Sequence, residues 1–406
     1  MAHRHGAEAG ISRPPLEVAD IFREHGPQYR RNHILTPLQY KAMIDIERCR
    51  TAVLGGHLDV CDHCGYSAPS YNSCRNRHCP KCQSLAQARW IQSREEKILP
   101  THYFHTVLTL PESLRPLASA NPEVIYGLLF RTAADALLTL GKDPRHLGAL
   151  IGFTAVLHTW TREMSYHPHL HLIIPGGGLD QRGKWKSTKE DFFVPVSVLS
   201  GLFRGKFLHA LEKEYRKGRL KGGQAQPDAF PKLKDRLYSQ GFNSYAKKPF
   251  GGPENVFQYL GRYTHRVAIS NHRLIAYDEN GVTFHTKNQQ SITVSPREFI
   301  RRFLLHILPH GFTKIRHYGI LAPANAKTRL PEARRQIENR IKRPTPEPVI
   351  TDQEPAKDED WPEFYKRLTG IDLFLCPICR TGTMIRTPMS RSGRDSREWG
   401  RNPRGP

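Results

Sequence analysis

Residues Tyr166-His167-Pro168-His169-Leu170-His171-Leu172-Ile173-Ile174-Pro175 and the three glycines that follow constrain the fold more than any other stretch. Their alternation predicts a short strand ending in a glycine turn. Strand side chains point alternately to opposite faces. Leu170, Leu172 and Ile174 therefore face a core, and His169 and His171 stand together on the other side. Two adjacent imidazoles can chelate a divalent cation, but they also suit a solvated sheet face, and the pattern is short. His158 lies on the preceding apolar run, Ile151 to Trp160. If the two runs pair, His158 comes level with the histidine pair. Three nitrogens on one face leave open coordination positions, the layout of a catalytic metal rather than a closed structural one.

A second constellation follows at 251–263, from Gly251-Gly252-Pro253-Glu254 to Gly261-Arg262-Tyr263. Pro253 suits a first helical turn, and Glu254 there complements the helix dipole. Tyr259 and Tyr263 are four apart and project from one helix face. Val256, Leu260 and Tyr263 equally fit an amphipathic core stripe, so spacing alone favours packing over chemistry.

His-hydrophobic-His followed by Tyr-x3-Tyr resembles the two-tyrosine HUH endonucleases. More closely, the chain is similar to rolling-circle transposases of the insertion-sequence ninety-one family. A plasmid or phage rolling-circle replication initiator, which shares the chemistry but not usually a zinc module, and a non-catalytic zinc-dependent DNA-binding regulator are the alternatives. The resemblance runs over roughly residues 15–325. It is carried by Ala19-Asp20-Ile21-Phe22-Arg23, by Tyr71 to Cys82, by Gly152 to Trp160, by Tyr263 to Ser270 and by Phe299 to His306. It implies Tyr259 and Tyr263 as catalytic nucleophiles in a DNA transesterification through a 5′-phosphotyrosine link. It also implies Mg²⁺ or Mn²⁺ held by His169, His171 and a third ligand. HUH enzymes draw that third ligand from a neighbouring strand or from the tyrosine helix, which makes His158, His167 and Gln258 the candidates. His158 is preferred, because its run can pair with the histidine strand and some relaxases of this class place a third histidine there. His167 has the right parity, but Pro168 is expected to break the strand. Gln258 points about 100° away from Tyr259 round the helix. The substrate implied is single-stranded or locally melted DNA at element ends and target, since the scissile phosphate must bend into the site. No Walker sequence is present, in keeping with a reaction that needs no nucleotide.

The 406 residues carry a formal charge of +23, which points to a polyanionic partner, nucleic acid first. No apolar run approaches the roughly 20 residues of a membrane span. No basic amphipathic anchor and no signal segment stand out, so a cytoplasmic, nucleoid-associated bacterial protein is expected. The oligomeric state is not legible.

Eight cysteines in such a chain favour metal over disulfides. Cys61-x2-Cys64 and Cys79-x2-Cys82 predict one structural zinc ion in a ribbon or treble clef. Cys74 and His78 are surplus; they either substitute for a knuckle member or pack beside it. Cys49 reads as a small buried residue. Cys376-Pro377-Ile378-Cys379 reads as half a knuckle without a second half. Between the first knuckles, Arg75, Arg77 and Lys81, with Asn72 and Asn76, suit phosphate and base contacts. Lys247, Lys248, Arg262 and Arg266 are further candidate DNA contacts.

The expected fold is α+β: a mainly antiparallel HUH-type sheet flanked by helices, preceded by a small zinc module. The expected organisation is a disordered start (1–15), a helical and zinc-binding module (16–100), a catalytic unit (101–325), a helix with a Pro/acid-rich linker (326–370), and a half knuckle with a basic tail (371–406). Within the catalytic unit the pattern predicts a strand at 103–111, helices at 112–142, 196–218 and 296–308, and a loop at 176–189. Short strands are expected at 266–270, 273–277 and 281–287, with Asp278-Glu279-Asn280-Gly281 as a hairpin turn in which Asn-Gly is the favoured type I′ pair. Residues 312–321 mix basic and aromatic side chains, as nucleic-acid surfaces often do.

Overall fold

The structure is a computed structural model that describes residues 14–82, 87, 88, 90, 91, 93, 97–189, 194–242, 244–247, 268–288, 290–341 and 360–389. Two helices, α1 (Val18–Asn32) and α2 (Pro37–Arg48), lead into strands β1 (Gly56–Cys61) and β2 (Ser67–Tyr71). Strand β3 (Tyr103–Thr109) is followed by α3 (Arg115–Ala120), α4 (Pro122–Lys142), β4 (Leu150–Trp160) and β5 (Tyr166–Pro175). Then come β6 (Gly177–Leu179), β7 (Trp185–Ser187), α5 (Val196–Arg216), α6 (Phe230–Ser239) and β8 (Ser244–Lys247). A hairpin sheet of β9 (Leu274–Asp278), β10 (Gly281–His285) and β11 (Ser291–Val294) precedes α7 (Pro296–Leu304). Strand β12 (Ile315–Gly319), helices α8 (Arg329–Arg340) and α9 (Trp361–Thr369), and β13 (Met384–Met389) complete the described chain.

The architecture is α+β with antiparallel sheets. The large sheet has the order β7-β6-β4-β5-β3-β8, and β12 also pairs with β4. One face of it is the main core. Leu108, Phe153, Ala155, Leu157, Leu170, Leu172 and Ile174 pack there with α4 and α5. Each large apolar side chain buried this way contributes roughly 1.5–3 kcal/mol. Helix α4 is long and apolar enough to cross a membrane by composition, but two thirds of that window is buried inside the protein, so its apolar residues are already used in this core.

A second core joins the start of the chain to residues 268–304. Phe22 meets Phe303 edge-to-face with ring centroids 5.2 Å apart, and Met43, Phe284 and Phe299 are buried beside them. Helix α2 starts at a reciprocal capping box between Thr36 and Gln39, followed by Pro37. Gln39 also donates to the Leu304 carbonyl at 3.2 Å, which locks α2 to the end of α7.

Several local expectations need correction. The stretch 176–189 is not a loop; β6 and β7 form a hairpin at the sheet edge, with Trp185 buried across Gly177. Pro168 does not break β5, which runs through it. The β4–β5 register shifts between His158 and Trp160, and this irregularity absorbs the missing N–H of Pro168. The β9–β10 turn spans Asp278 to Gly281 as expected, but its central pair is Glu279-Asn280 and not Asn280-Gly281. Asp278 caps it by accepting from Asn280 N at 2.9 Å. Residues 268–270 are not a strand, and 266–267 lie outside the described residues.

Candidate metal centres

Pairing of β4 with β5 sets His158 directly opposite His169, with His171 one pleat further along the same face. One ring nitrogen from each of His158, His169 and His171 lies within 4.8 Å of the other two. All three residues are buried. His169 Nδ1 donates to the His167 carbonyl at 2.6 Å, because a carbonyl only accepts, and Nε2 of the neutral ring then carries its lone pair. Burial pulls the His169 pKa down to about 4, which keeps that ring neutral near pH 7, the form that binds metal. His169 Nε2 and His171 Nε2 face each other at 3.1 Å.

Behind His171 stands a residue that the sequence reading missed. His105, on β3, is fully buried, and its Nε2 lies 2.8 Å from His171 Nδ1. Two tautomer arrangements satisfy this chain of rings. In one, His105 donates to His171 and His171 donates to His169. In the other, His171 donates from Nδ1 to His105, and its Nε2 lone pair turns to the His158–His169 side. The second arrangement presents lone pairs for a cation, and second partners of this kind fix ligand tautomers in metal sites generally. No periodic signal marks His105, because every residue of β3 is buried. Beside it on the edge strand β8 stands Tyr245, 45% exposed, its ring 6.2 Å from the His105 ring.

His167 is not part of the nitrogen cluster; its Nδ1 accepts from Arg115 at 3.0 Å. His158 stacks on Trp160 at 4.7 Å between centroids, so packing and convergence coexist at that residue. Tyr259, Tyr263, Gln258, Lys248, Arg262 and Arg266 lie outside the described residues, and of Lys247 only the backbone, paired with His105, is described.

The cysteines divide differently from the expected Cys61, Cys64, Cys79, Cys82 set. Cys79 and Cys82 converge with Cys49 and Cys74, all four sulfurs lying within 4.8 Å of one another. Cys82 Sγ is 3.5 Å from Cys49 Sγ and 3.7 Å from Cys74 Sγ. Ligands about 2.3 Å from a tetrahedral zinc stand about 3.8 Å apart, so this set fits zinc. Cys49 is thus a cluster member, delivered by the end of α2, and Cys74 takes the place expected for a knuckle residue. Cys61 and Cys64 fall in a separate cluster. His78 is a buried bridge: its Nε2 accepts from Leu308 N at 3.1 Å, and its Nδ1 faces Asn76 Oδ1.

Arg75 and Arg77 are both exposed, and Arg77 also donates to the Phe312 carbonyl at 2.7 Å, which ties its guanidinium to the protein. Lys81 turns inward to a buried ion pair with Glu17 at 2.7 Å, so it offers a phosphate no charge without breaking that pair. In 312–321 the aromatic groups also pack inward. Arg316 lies over Phe130, and Tyr318 stacks on Phe153.

Known proteins are similar to this chain over most of its length. Residues 152–329 match the family described as "Putative transposase", and residues 21–110 match the "Transposase zinc-binding domain". The chain is 45% identical over 388 residues to putative transposase y4qJ of Sinorhizobium fredii, covering 92% of this chain and 96% of the relative. It is 27% identical over 371 residues to the transposase for insertion sequence element IS801 of Pseudomonas savastanoi pv. phaseolicola, covering 85% and 82%. A solved conjugative relaxase, TrwC in complex with oriT DNA in metal-bound form, is similar at 15% identity over 41% of this chain and 72% of its own, with a TM-score of 0.20, too low to bear on function.

Proposed function

Starting from the fact that the chain belongs to the insertion-sequence ninety-one family of transposases, we propose that it nicks and rejoins single strands of DNA through a 5′-phosphotyrosine link during rolling-circle transposition. The observation that carries the reading is the convergence of His158, His169 and His171 on one face of the sheet. These residues hold one divalent ion, Mg²⁺ or Mn²⁺. Such an ion, when bound, withdraws charge from a non-bridging oxygen of the scissile phosphate and fixes its orientation.

The chain's own residues supply the rest. Tyr259 or Tyr263 attacks phosphorus with its phenolic oxygen and gives up the phenolic proton. The bond from phosphorus to the 3′ oxygen breaks, and that oxygen takes up a proton as the free 3′-hydroxyl. The second tyrosine repeats the exchange at the target, so the phosphodiester bond is exchanged rather than hydrolysed and no nucleotide is consumed. His105 holds the His171 ring in the tautomer that turns Nε2 to the site. Arg75 is an exposed base of the zinc module that meets phosphate.

The substrate is single-stranded or locally melted DNA. Single-stranded and duplex oligonucleotides tiling the DNA that flanks the gene test this, incubated with Mn²⁺ and resolved under denaturing conditions. The reading predicts covalent protein–DNA adducts on particular single strands and none on the intact duplexes. Adducts on duplex alone, or none on any strand, overturn it.

A further inference from the structure

Cys376-Pro377-Ile378-Cys379 finds its second half at the other end of the chain. Strand β13 runs antiparallel to β1, pairing Cys61 with Met384 and Gly56 with Met389. This brings the turn at 376–380 against the turn at 61–65. Cys61 Sγ lies 3.7 Å from Cys379 Sγ, and Cys64 Sγ lies 3.7 Å from Cys376 Sγ, a residue 312 positions away. All four sulfurs lie within 4.8 Å of one another. That spacing matches ligands around a tetrahedral ion and is far too long for a sulfur–sulfur bond of about 2.05 Å.

The two turns have the same construction. After the second cysteine of each, the backbone enters the left-handed region, Gly65 at φ 70° and Arg380 at φ 56°. The N–H of that residue donates to the carbonyl of the first cysteine in both, Gly65 to Cys61 at 3.2 Å and Arg380 to Cys376 at 3.0 Å. Arginine adopts this conformation only at a cost, so the surrounding structure enforces it. Backbone N–H groups then point at sulfur: Cys64 N at 3.4 Å from Cys61 Sγ, and Gly382 N at 3.3 Å from Cys379 Sγ. Donors aimed at sulfur favour the thiolate, the ligand form.

The seam is close-fitting. A Cβ on Gly382 would lie 2.4 Å from Cys61 Sγ and 2.7 Å from His63 Cβ, so the C-terminal turn seats only without a side chain there. Asp59 accepts twice from Arg386, at 2.7 and 3.1 Å, and Asp62 Oδ1 accepts from Thr383 N at 2.7 Å.

We propose that Cys61, Cys64, Cys376 and Cys379 form a second structural zinc site, separate from the Cys49, Cys74, Cys79, Cys82 site, which clasps the C-terminal strand onto the N-terminal module. Neither half closes the site alone.

The test is metal content of the full-length protein after exhaustive dialysis. Wild type is expected to hold two zinc ions per chain. The pair C376S/C379S and the pair C61S/C64S are each expected to hold one, and the quadruple variant also one rather than none. Amide exchange of β13 is expected to quicken at least tenfold in C376S/C379S. Wild type itself gives an independent readout that needs no variant. Under graded chelation, alkylation mapped by mass spectrometry is expected to reach Cys61, Cys64, Cys376 and Cys379 together. One zinc in wild type, two retained in C376S/C379S, iron in place of zinc, or fewer than eight titratable thiols in denatured, chelated, unreduced protein overturns the proposal.

Discussion

His105 Nε2 and His171 Nδ1 are 2.8 Å apart, with their rings nearly parallel at 5.1 Å between centroids. The contact joins β3 to the histidine strand from the side away from His158, and it orients a ring whose other nitrogen faces His169. A leucine at 105 removes the acceptor and leaves the His171 tautomer unset. His105→Leu is expected to weaken Mn²⁺ binding by about 10- to 100-fold. His105→Gln, whose amide oxygen accepts, is expected to recover most of the loss. His158→Ala removes a ligand and should weaken binding further, whereas His167→Ala, aimed at Arg115, should change it little. Isothermal titration with Mn²⁺ ranks the four variants. Equal affinity in wild type and His158→Ala would remove His158 from the site.

The histidine strand was legible because its period of two survives in the structure. Leu170, Leu172 and Ile174 lie in the main core and His169 and His171 on the other face, as alternation requires. His105 was not legible, because β3 is buried on both faces and only its register with β5 singles the residue out. The cysteines mislead for a related reason. A Cys-x2-Cys spacing defines a knuckle but not which knuckle meets it. Here the meeting is decided by β1–β13 pairing across the chain, and by α2 ending at Cys49. The edge hairpin of β6 and β7 was hidden by its glycines, of which Gly177 lets Trp185 pack against backbone and Gly178 lets the Leu150 backbone approach.

Lys81 and Arg75 separate structure from recognition within one module. Lys81 and Glu17 form an ion pair with side chains 8% and 7% exposed, and Lys81 also donates to the Cys49 carbonyl at 2.9 Å. Lys81→Met removes the cation from the buried Glu17 carboxylate and is expected to cost on the order of 3 kcal/mol in chemical denaturation. Arg75→Ala is expected to leave stability within about 0.5 kcal/mol of wild type. It should weaken binding to single strands about equally across sequences and lower the salt slope by about 0.7. Loss of stability in Arg75→Ala with unchanged DNA binding would reverse the two roles.

His306 gives the fold an acid-sensitive point next to β4, in contact with Thr159 and Trp160. Its Nε2 donates to the Met164 carbonyl at 3.1 Å, and its Nδ1 lies 3.2 Å from Thr159 Oγ1. Burial lowers its pKa from 6.5 to about 4. Between those values the unfolded chain binds a proton that the folded chain refuses, so stability falls as pH drops through the window and is fully present above it. The loss amounts to roughly 3 kcal/mol over the whole interval. His306→Gln keeps a donor for Met164 and removes the titration. The stability gap between wild type and this variant is therefore expected to narrow from pH 7 to pH 5, a comparison in which the other titrating groups cancel. A gap independent of pH would show that His306 does not carry the effect.

A tyrosine of the Tyr259/Tyr263 pair is expected to become covalently joined to DNA at the histidine site. Removing only the phenolic oxygens preserves packing and separates chemistry from a core role. The decisive measurement is peptide mapping by mass spectrometry of the adduct formed on a single-stranded oligonucleotide, for wild type, the two single Phe variants and the Tyr259→Phe plus Tyr263→Phe protein. A phosphotyrosyl peptide at Tyr259 or Tyr263 is expected in wild type, with a folded but adduct-free double variant. A covalent adduct that persists in the double variant, or maps to a residue such as Tyr245, would contradict it.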